Sequence, residues 1–315
     1  MGTLFPLRRG HADPTLQRPL DGGAWNELWR TQRTPEGPAT LHLTIVESTP
    51  LSSWVRVRAW GPGAGWSAAQ AGELLGQGDD WAGFDALLGR LADGPGHPAG
   101  PAASALAAVR RRRGGLRLLR TGIVLESAVA AVLEQKVTGV EARRAWRRLI
   151  RQHGEAAPGP APEGMRVLPD AEGWRRIQDH DWHAAGVGPQ RMRTIRRVAA
   201  VAPGLERTLA LGRGGEAITR ALCSVPGVGE WTAAEITQRA HGDPDSVSVG
   251  DYHLANVVCH WFRGERGDRG DDASMLALLE PFVGHRQRVV RLITASGVVA
   301  PRYGPKITIQ DHRGH

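Results

Sequence analysis

Asp251 is the residue of this 315-residue chain whose type and setting most directly suggest catalysis. It stands in SVGDYHLANVV, at the start of an apolar helical pattern. A helix N-terminus stabilises a negative charge placed beside it. An ionised carboxylate there is the group that would stabilise a developing cationic sugar. Asp is also a preferred helix N-cap, and the two roles are compatible. Twenty residues upstream, the stretch Leu222 to Ala234 reads LCSVPGVGEWTAA. Pro226, Gly227 and Gly229 form a tight turn between two helical segments, and Trp231 and Thr232 open the second. Glycine lets the backbone approach another surface closely. The amides at the start of the second helix would point outward, an arrangement suited to a phosphate. Such a contact carries no base information. A glycine-containing helix turn with no ligand is the plainer reading of PGVG taken alone.

These residues must be positioned by a largely helical frame. Helical patterns run over 125–136, 141–153, 171–178, 190–202, 215–222, 231–240, 251–263, 273–280 and 286–295. Each is of ordinary length for a globular helix. Upstream, ATLHLTIV (39–46) and SWVRVRAW (53–60) read as strands of a small antiparallel sheet with one wet face. Two short helical patterns follow within 68–91, and 92–102 (ADGPGHPAGPA) is a linker by composition. The expected fold class is α+β. A small antiparallel-sheet domain with its linker occupies 36–109, an all-α domain 110–299, and a loose tail 300–315. Residues 1–35 stay largely unassigned, although Trp25, Leu28 and Trp29 suit a short amphipathic turn. Trp54, Trp60 and Trp66 are expected in the core of the N-terminal domain.

Composition narrows the partners. Lys136 and Lys306 are the only lysines among 40 basic residues, leaving 38 arginines against 32 acidic residues and a net charge of +8. An anionic partner follows from that balance, nucleic acid ahead of membrane lipid. No run of about 18 apolar residues is present to span a bilayer. Arg8 and Arg9 are not followed by an apolar stretch, so a signal peptide is not expected and the expected location is cytoplasmic and nucleoid-associated. Cys223 and Cys259 are too few for a cysteine-built cluster and read as small buried apolar residues.

Four motifs, in order, resemble those of the helix-hairpin-helix DNA glycosylase superfamily, specifically its bacterial 3-methyladenine-DNA glycosylase II branch. AVAAVLEQKVT (128–138) is similar to the family's helix ending in I-L-x-Q-x-V-S/T. MRVLPD (165–170) with AAGVGPQRMRTI (184–195) resembles its F-P-T and L-G-x-x-x-x-R segments. LCSVPGVGEWTA resembles L-x-x-x-P-G-[IV]-G-x-W-T-A, and Asp251 with Tyr252 resembles its D-Y pair at the same separation. The likeness covers roughly 112–295, and the sheet-bearing start also suits that branch.

The resemblance implies a monofunctional DNA glycosylase of base excision repair. It would flip an alkylated purine out of the duplex and hydrolyse its N-glycosidic bond, leaving an abasic site. Asp251 would be the catalytic carboxylate and Trp231 the ring on which a cationic base stacks. Bifunctional relatives place a Schiff-base lysine where this chain has Trp231, so no lyase activity is expected. Tyr252, Glu235, Glu134 and Ile293 are the further pocket candidates. Glu235 stands where relatives often carry an aromatic residue, and Ile293 where an aromatic base platform would be expected. Gln135, Lys136, Gly227, Gly229 and Thr232 are the DNA-contact candidates, Gln135 at the position that wedges into the gap left by the flipped base. Arg110 to Arg113 and Arg143, Arg144, Arg147 and Arg148 would flank the duplex, or form a solvated basic face. His253 could assist Asp251, though a lone His is more often structural. The carbonyls of Cys223, Val225 and Val228 could hold a structural monovalent cation, and no cofactor is required. The expected partner is double-stranded DNA containing damaged bases, bound by a monomer away from any membrane. A glycosylase for an oxidised, deaminated or bulky lesion is the alternative, as is a damaged-DNA binder without catalysis.

Overall fold

The computed structural model describes residues 2–18, 26–49, 52–94, 96–264 and 270–301. Trp25 and most of the expected loose tail, 302–315, lie outside the described residues. The chain opens with a 3-10 turn, Gly2–Leu7, and then a four-stranded antiparallel sheet of β1 (Leu16–Gln17), β2 (Glu27–Thr34), β3 (Gly37–Ser48) and β4 (Ser53–Trp60), paired in that order. The expected hairpin is therefore the second half of a larger sheet. Leu28 and Trp29, expected in an amphipathic turn, are strand residues. The β2 strand hid because one of its inward-facing residues is charged. Arg30 points into the interior beside Leu28 and Gln32, which breaks the apolar alternation that marks a strand.

The inner face of this sheet packs Leu28, Leu41 and Leu43 on Leu4, Leu7, Leu74 and Leu119. Arg30 leaves that face to meet Glu126, with Nη2 to Oε2 at 2.9 Å and both side chains essentially inaccessible. This pair fastens the sheet to the helical body. Removing one partner of such a buried pair strands the other charge and typically costs about 3–5 kcal/mol.

Then come α1 (Ala64–Leu74), α2 (Ala82–Asp93) and α3 (Gly100–Arg112). The boundary expected between 109 and 110 falls inside α3, and the linker expected over 92–102 supplies the end of α2 and the start of α3. Gly and Pro fooled the composition reading because Gly100 and Pro101 open a helix, where proline is well tolerated.

The central helices are α4 (Val124–Leu133), α5 (Gly139–His153), α6 (Ala171–Arg176), α7 (Asp179–Ala184), α8 (Pro189–Ala200), α9 (Ala202–Glu206), α10 (Glu216–Cys223) and α11 (Glu230–Ala240). A two-residue ribbon, β5 (Glu155–Ala156) with β6 (Arg166–Val167), interrupts them. Every residue of α4 is buried, so it is the axis of the larger core, with Trp146, Trp174, Trp182, Ile195 and Ile236 around it. Glu206 caps it from a distance, accepting the Val124 and Leu125 N–H groups at 2.9 and 2.8 Å. The last helices, α12 (Leu254–Arg263), α13 (Asp272–Leu279) and α14 (Arg286–Ser296), share a second core with α2 and α3 through Phe84, Leu106, Val258, Phe282 and Leu292. Asp79 braces that core by accepting from Arg288 Nη2 at 2.5 Å and from the Leu118 N–H at 2.6 Å. Cys259 is buried and Cys223 half-buried. Of the three tryptophans expected in the N-terminal core, Trp60 and Trp66 are half-buried, but Trp54 is 70% exposed.

Candidate active site

The hairpin joins α10 to α11 and is shaped by alternating burial. Val225 and Val228 are anchored inside, while Pro226, Gly227 and Gly229 face outward. The Val228 N–H donates to the Val225 carbonyl at 2.9 Å, closing the turn. Gly227 has φ +100°, and a Cβ there would sit 2.1 Å from Thr194 Oγ1, so both backbone and space demand glycine. Gly229 caps α11, and nothing lies within 4 Å of its Cβ position. The amides of the first turn of α11 lack helical acceptors, as at any helix start, and here they border open space.

Gln135, in the turn after α4, locks onto this hairpin. Its Nε2 donates to the Gly227 carbonyl at 2.9 Å and to Thr232 Oγ1 at 2.8 Å, with Thr232 buried. Next to it, Lys136 is exposed and has φ +52°, the one positive φ found at a described non-glycine residue. A non-glycine residue held there stores backbone strain, a feature concentrated at functional sites. Arg191 secures the same turn from α8, its Nη1 donating to the Leu133 carbonyl at 2.9 Å.

Asp251 lies just ahead of α12. Its Oδ1 accepts the His253 and Leu254 N–H groups at 2.8 and 2.9 Å, which is the capping arrangement expected of it. Its Oδ2 accepts the indole N–H of Trp231 at 3.2 Å. The hairpin tryptophan and the carboxylate, twenty residues apart in sequence, thus meet. Both are half-buried, which leaves them reachable from outside. Tyr252 is 48% exposed, its ring edge-on to His253 at 4.8 Å.

Trp231, Glu235 and Arg239 lie four residues apart along one face of α11, so the wall behind the tryptophan is charged. Glu235 accepts from Arg239 Nη1 at 2.7 Å and from Ser248 Oγ at 2.5 Å, so it is fully engaged. Burial pushes the carboxyl of Glu134 up, against the opposing pull of Arg239 and Arg9. Ile293 is not part of this wall. It is 1% exposed and belongs to the core formed with Trp81 and Phe84. The side chain that α14 turns toward Arg239 is Arg291, whose guanidinium burial and the nearby Arg239 bring down to about 10. A register judged from the sequence alone placed the wrong face of α14 inward. The adjacent Val290 and Leu292 form a continuous apolar run with Ile293 that hides the helix's facing. Arg239 and Arg9 were also missed, because buried arginines look like surface ones in sequence.

The expected arginine clusters divide. Arg144 and Arg148 are exposed on α5, whereas Arg143 and Arg147 lie against the chain at Gly10. Arg110 is tied to Asp85 and stacks over Trp81 at 4.4 Å, leaving Arg111 and Arg112 exposed. Of the three residues named for a monovalent cation, Cys223 ends α10, Val225 and Val228 lie in the turn beyond it, and the Val225 carbonyl is engaged by the Val228 N–H. Among the described residues, no group of three or more His, Cys, Asp or Glu side chains is placed to hold a metal.

The fold is similar to that of solved structures described as DNA glycosylases. A 3-methyladenine DNA-glycosylase from Archaeoglobus fulgidus superposes with a TM-score of 0.71 over 94% of each chain at 14% identity. An 8-oxoguanine glycosylase/lyase from Clostridium acetobutylicum, solved with double-stranded DNA, superposes with a TM-score of 0.66 over 94% of this chain and 90% of that one at 11% identity. In sequence, a probable bifunctional transcriptional activator/DNA repair enzyme AlkA from Mycobacterium tuberculosis is 31% identical over 149 residues, 47% of this chain. The chain spans 29% of the length of that relative. No protein-family model matches the chain. No described helix is long and apolar enough to cross a membrane.

Proposed function

We propose that this protein is a monofunctional DNA glycosylase that removes alkylated purines from double-stranded DNA. The observation that carries the proposal is the contact between Trp231 and Asp251, which sets an aromatic face and a backbone-held carboxylate on one site beside a glycine hairpin. The hairpin amides bind a phosphate of the damaged strand, Gln135 releases the hairpin and enters the gap with Lys136, and the lesion base flips onto Trp231. The bonds from His253, Leu254 and Trp231 fix the carboxylate of Asp251. It then faces the C1′ of the extruded sugar, stabilises oxocarbenium-like charge there and orients the attacking water. An N-alkylated purine leaves as a neutral base once its bond to C1′ breaks, so no strong general acid is needed. The proton released by the water passes to Asp251.

The reading without a strand-cleaving step is supported by the placement of the lysines. Neither lysine lies in the hairpin: Lys136 stands in the turn after α4 and Lys306 lies outside the described residues, while the hairpin carries tryptophan where relatives place the Schiff-base amine. The structural likeness to 3-methyladenine and 8-oxoguanine enzymes supports the fold of this reading, and the AlkA relative supports its chemistry. A second reading, an oxidised or deaminated base as substrate, is favoured by the charged wall of Glu235, Arg239 and Arg291 in place of an aromatic platform. The test is release of 3-methyladenine and 7-methylguanine from methylated duplex, with strand breaks scored before and after alkali. The expected result is base release with breaks only after alkali. Breaks without alkali would overturn the monofunctional reading. Release of 8-oxoguanine or hypoxanthine in place of the methylated bases would establish the second reading.

A further inference from the structure

The outer face of the N-terminal sheet carries residues that the active site does not use. Side chains alternate across a strand. The pairing of β2 with β3 and β3 with β4 puts Leu28, Leu41, Leu43, Val55 and Val57 on the core side. It puts Trp29, His42, Thr44, Trp54, Arg56, Arg58 and Trp60 on the other. Trp29 stacks on His42 with ring centroids 4.0 Å apart and on Trp60 at 5.6 Å, which makes a rigid aromatic floor. The loop between β5 and β6 closes the Trp60 end, because a Cβ at Gly159 would come within 2.4 Å of the Trp60 ring. At the opposite end no described element covers the face. Trp54 is 70% exposed there, and Arg56 and Arg58 are exposed beside it. Neither arginine makes an ion pair or hydrogen bond with a described residue.

Large exposed tryptophans are rare on surfaces that meet only water, and two guanidiniums beside one with no acidic partner among the described residues select an anion with flat apolar faces. A single nucleic-acid strand has both. Its phosphates answer the arginines and its unstacked bases answer the indole, whereas a duplex would present phosphates but leave Trp54 without a base face. Alternate residues on a strand are about 7 Å apart, so Arg56 and Arg58 can follow successive phosphates of an extended chain. Self-association through this face would bring four guanidiniums together against two Glu47 carboxylates, which leaves an excess of buried positive charge. Glu27, the acidic residue of the face nearest its centre, is spent on His42 and on the indole N–H of Trp29. Glu47, paired across from Trp54, keeps phosphates to the Arg56 and Arg58 side of the ring.

We infer that this face is a second nucleic-acid site, separate from the hairpin, which takes single-stranded DNA by stacking a base on Trp54 and pairing its phosphates with Arg56 and Arg58. The inference does not rest on the catalytic reading. It is tested on the full chain with a fluorescein-labelled 15-mer oligothymidylate. The Trp54→Ala/Arg56→Ala/Arg58→Ala variant should lose about tenfold or more in affinity, and its dependence on log salt should be shallower by about 1.4, two phosphates' worth on a single strand. Trp54→Phe should recover most of the stacking contribution in an otherwise unchanged chain. Thermal melting checks that the variants fold, and base release from a short methylated duplex should stay within about twofold of the parent. Oligonucleotide binding unchanged by the triple substitution would overturn the inference. So would a loss of self-association or of peptide binding in that variant with its affinity for single strands intact.

Discussion

At the residue scale, the site rests on a few side chains whose partners fix their chemistry. Asp251 has both oxygens committed, Oδ1 to two backbone N–H groups and Oδ2 to an indole, so its orientation is set before substrate arrives. Preorganised charge of this kind costs no rearrangement during reaction. His241, at the end of α11, shows the same economy in a structural role. It is fully buried, and its Nε2 meets Thr208 Oγ1 at 3.0 Å. Burial, with Arg120 nearby, lowers it to about 4 from an ordinary 6.5. A base whose folded pKa lies below its unfolded one contributes stability that is complete above pH 6.5 and lost as pH falls toward 4. That window corresponds to about 3 kcal/mol at most. Urea midpoints measured at pH 7 and pH 5 should therefore drop less in His241→Gln than in the parent. An equal drop in the two would remove His241 from the acid limb. The sequence made Asp251, Trp231 and Gln135 legible because their motifs carry them at fixed spacing. It could not reveal Arg239 and Arg291, whose burial depends on helices far apart in the chain.

At the element scale, the hairpin between α10 and α11 is the part most exposed to a single change. Its Gly227 combines φ +100° with a Cβ position only 2.1 Å from Thr194 Oγ1. Gly227→Ala should destabilise the protein by about 1–3 kcal/mol, from backbone strain and crowding together, and should weaken duplex binding. Adding Thr194→Ala should recover part of that loss and no more, since the positive φ remains. Thermal melts and duplex titrations of the single and double variants check this, and full recovery would mean that crowding alone was responsible. Several helices of the C-terminal half, α5, α8, α10 and α12 among them, were legible from periodicity to within a few residues because each buries one face only, whereas α7 lay outside the expected patterns. The β2 strand was not, because Arg30 occupies an inward position. The helix α3 was not, because Gly100 and Pro101 sit in its first turn rather than in a linker.

At the scale of the whole molecule, one buried ion pair fastens the sheet core to the core around α4 and another braces the core of the C-terminal helices from within. Arg30–Glu126 joins the sheet to α4, and Arg288–Asp79 joins α14 to the loop ahead of α2. Sequence composition divided the chain near residue 110, yet α2 and α3 complete the core of the C-terminal helices. Chain order does not reveal such a return, because the contacts that define it are more than a hundred residues apart. The consequence for function is that the hairpin, the turn carrying Gln135 and Lys136, and the loop carrying Asp251 are all held by one interlocked body. The central claim, that Asp251 performs the chemistry on a base held by this body, is tested most directly by single-turnover release of 3-methyladenine from a methylated duplex by Asp251→Asn. The account predicts release slowed by about a hundredfold or more, the scale of losing one preorganised electrostatic group, with duplex affinity within a few-fold of the parent. Release at the parent rate by Asp251→Asn would contradict it.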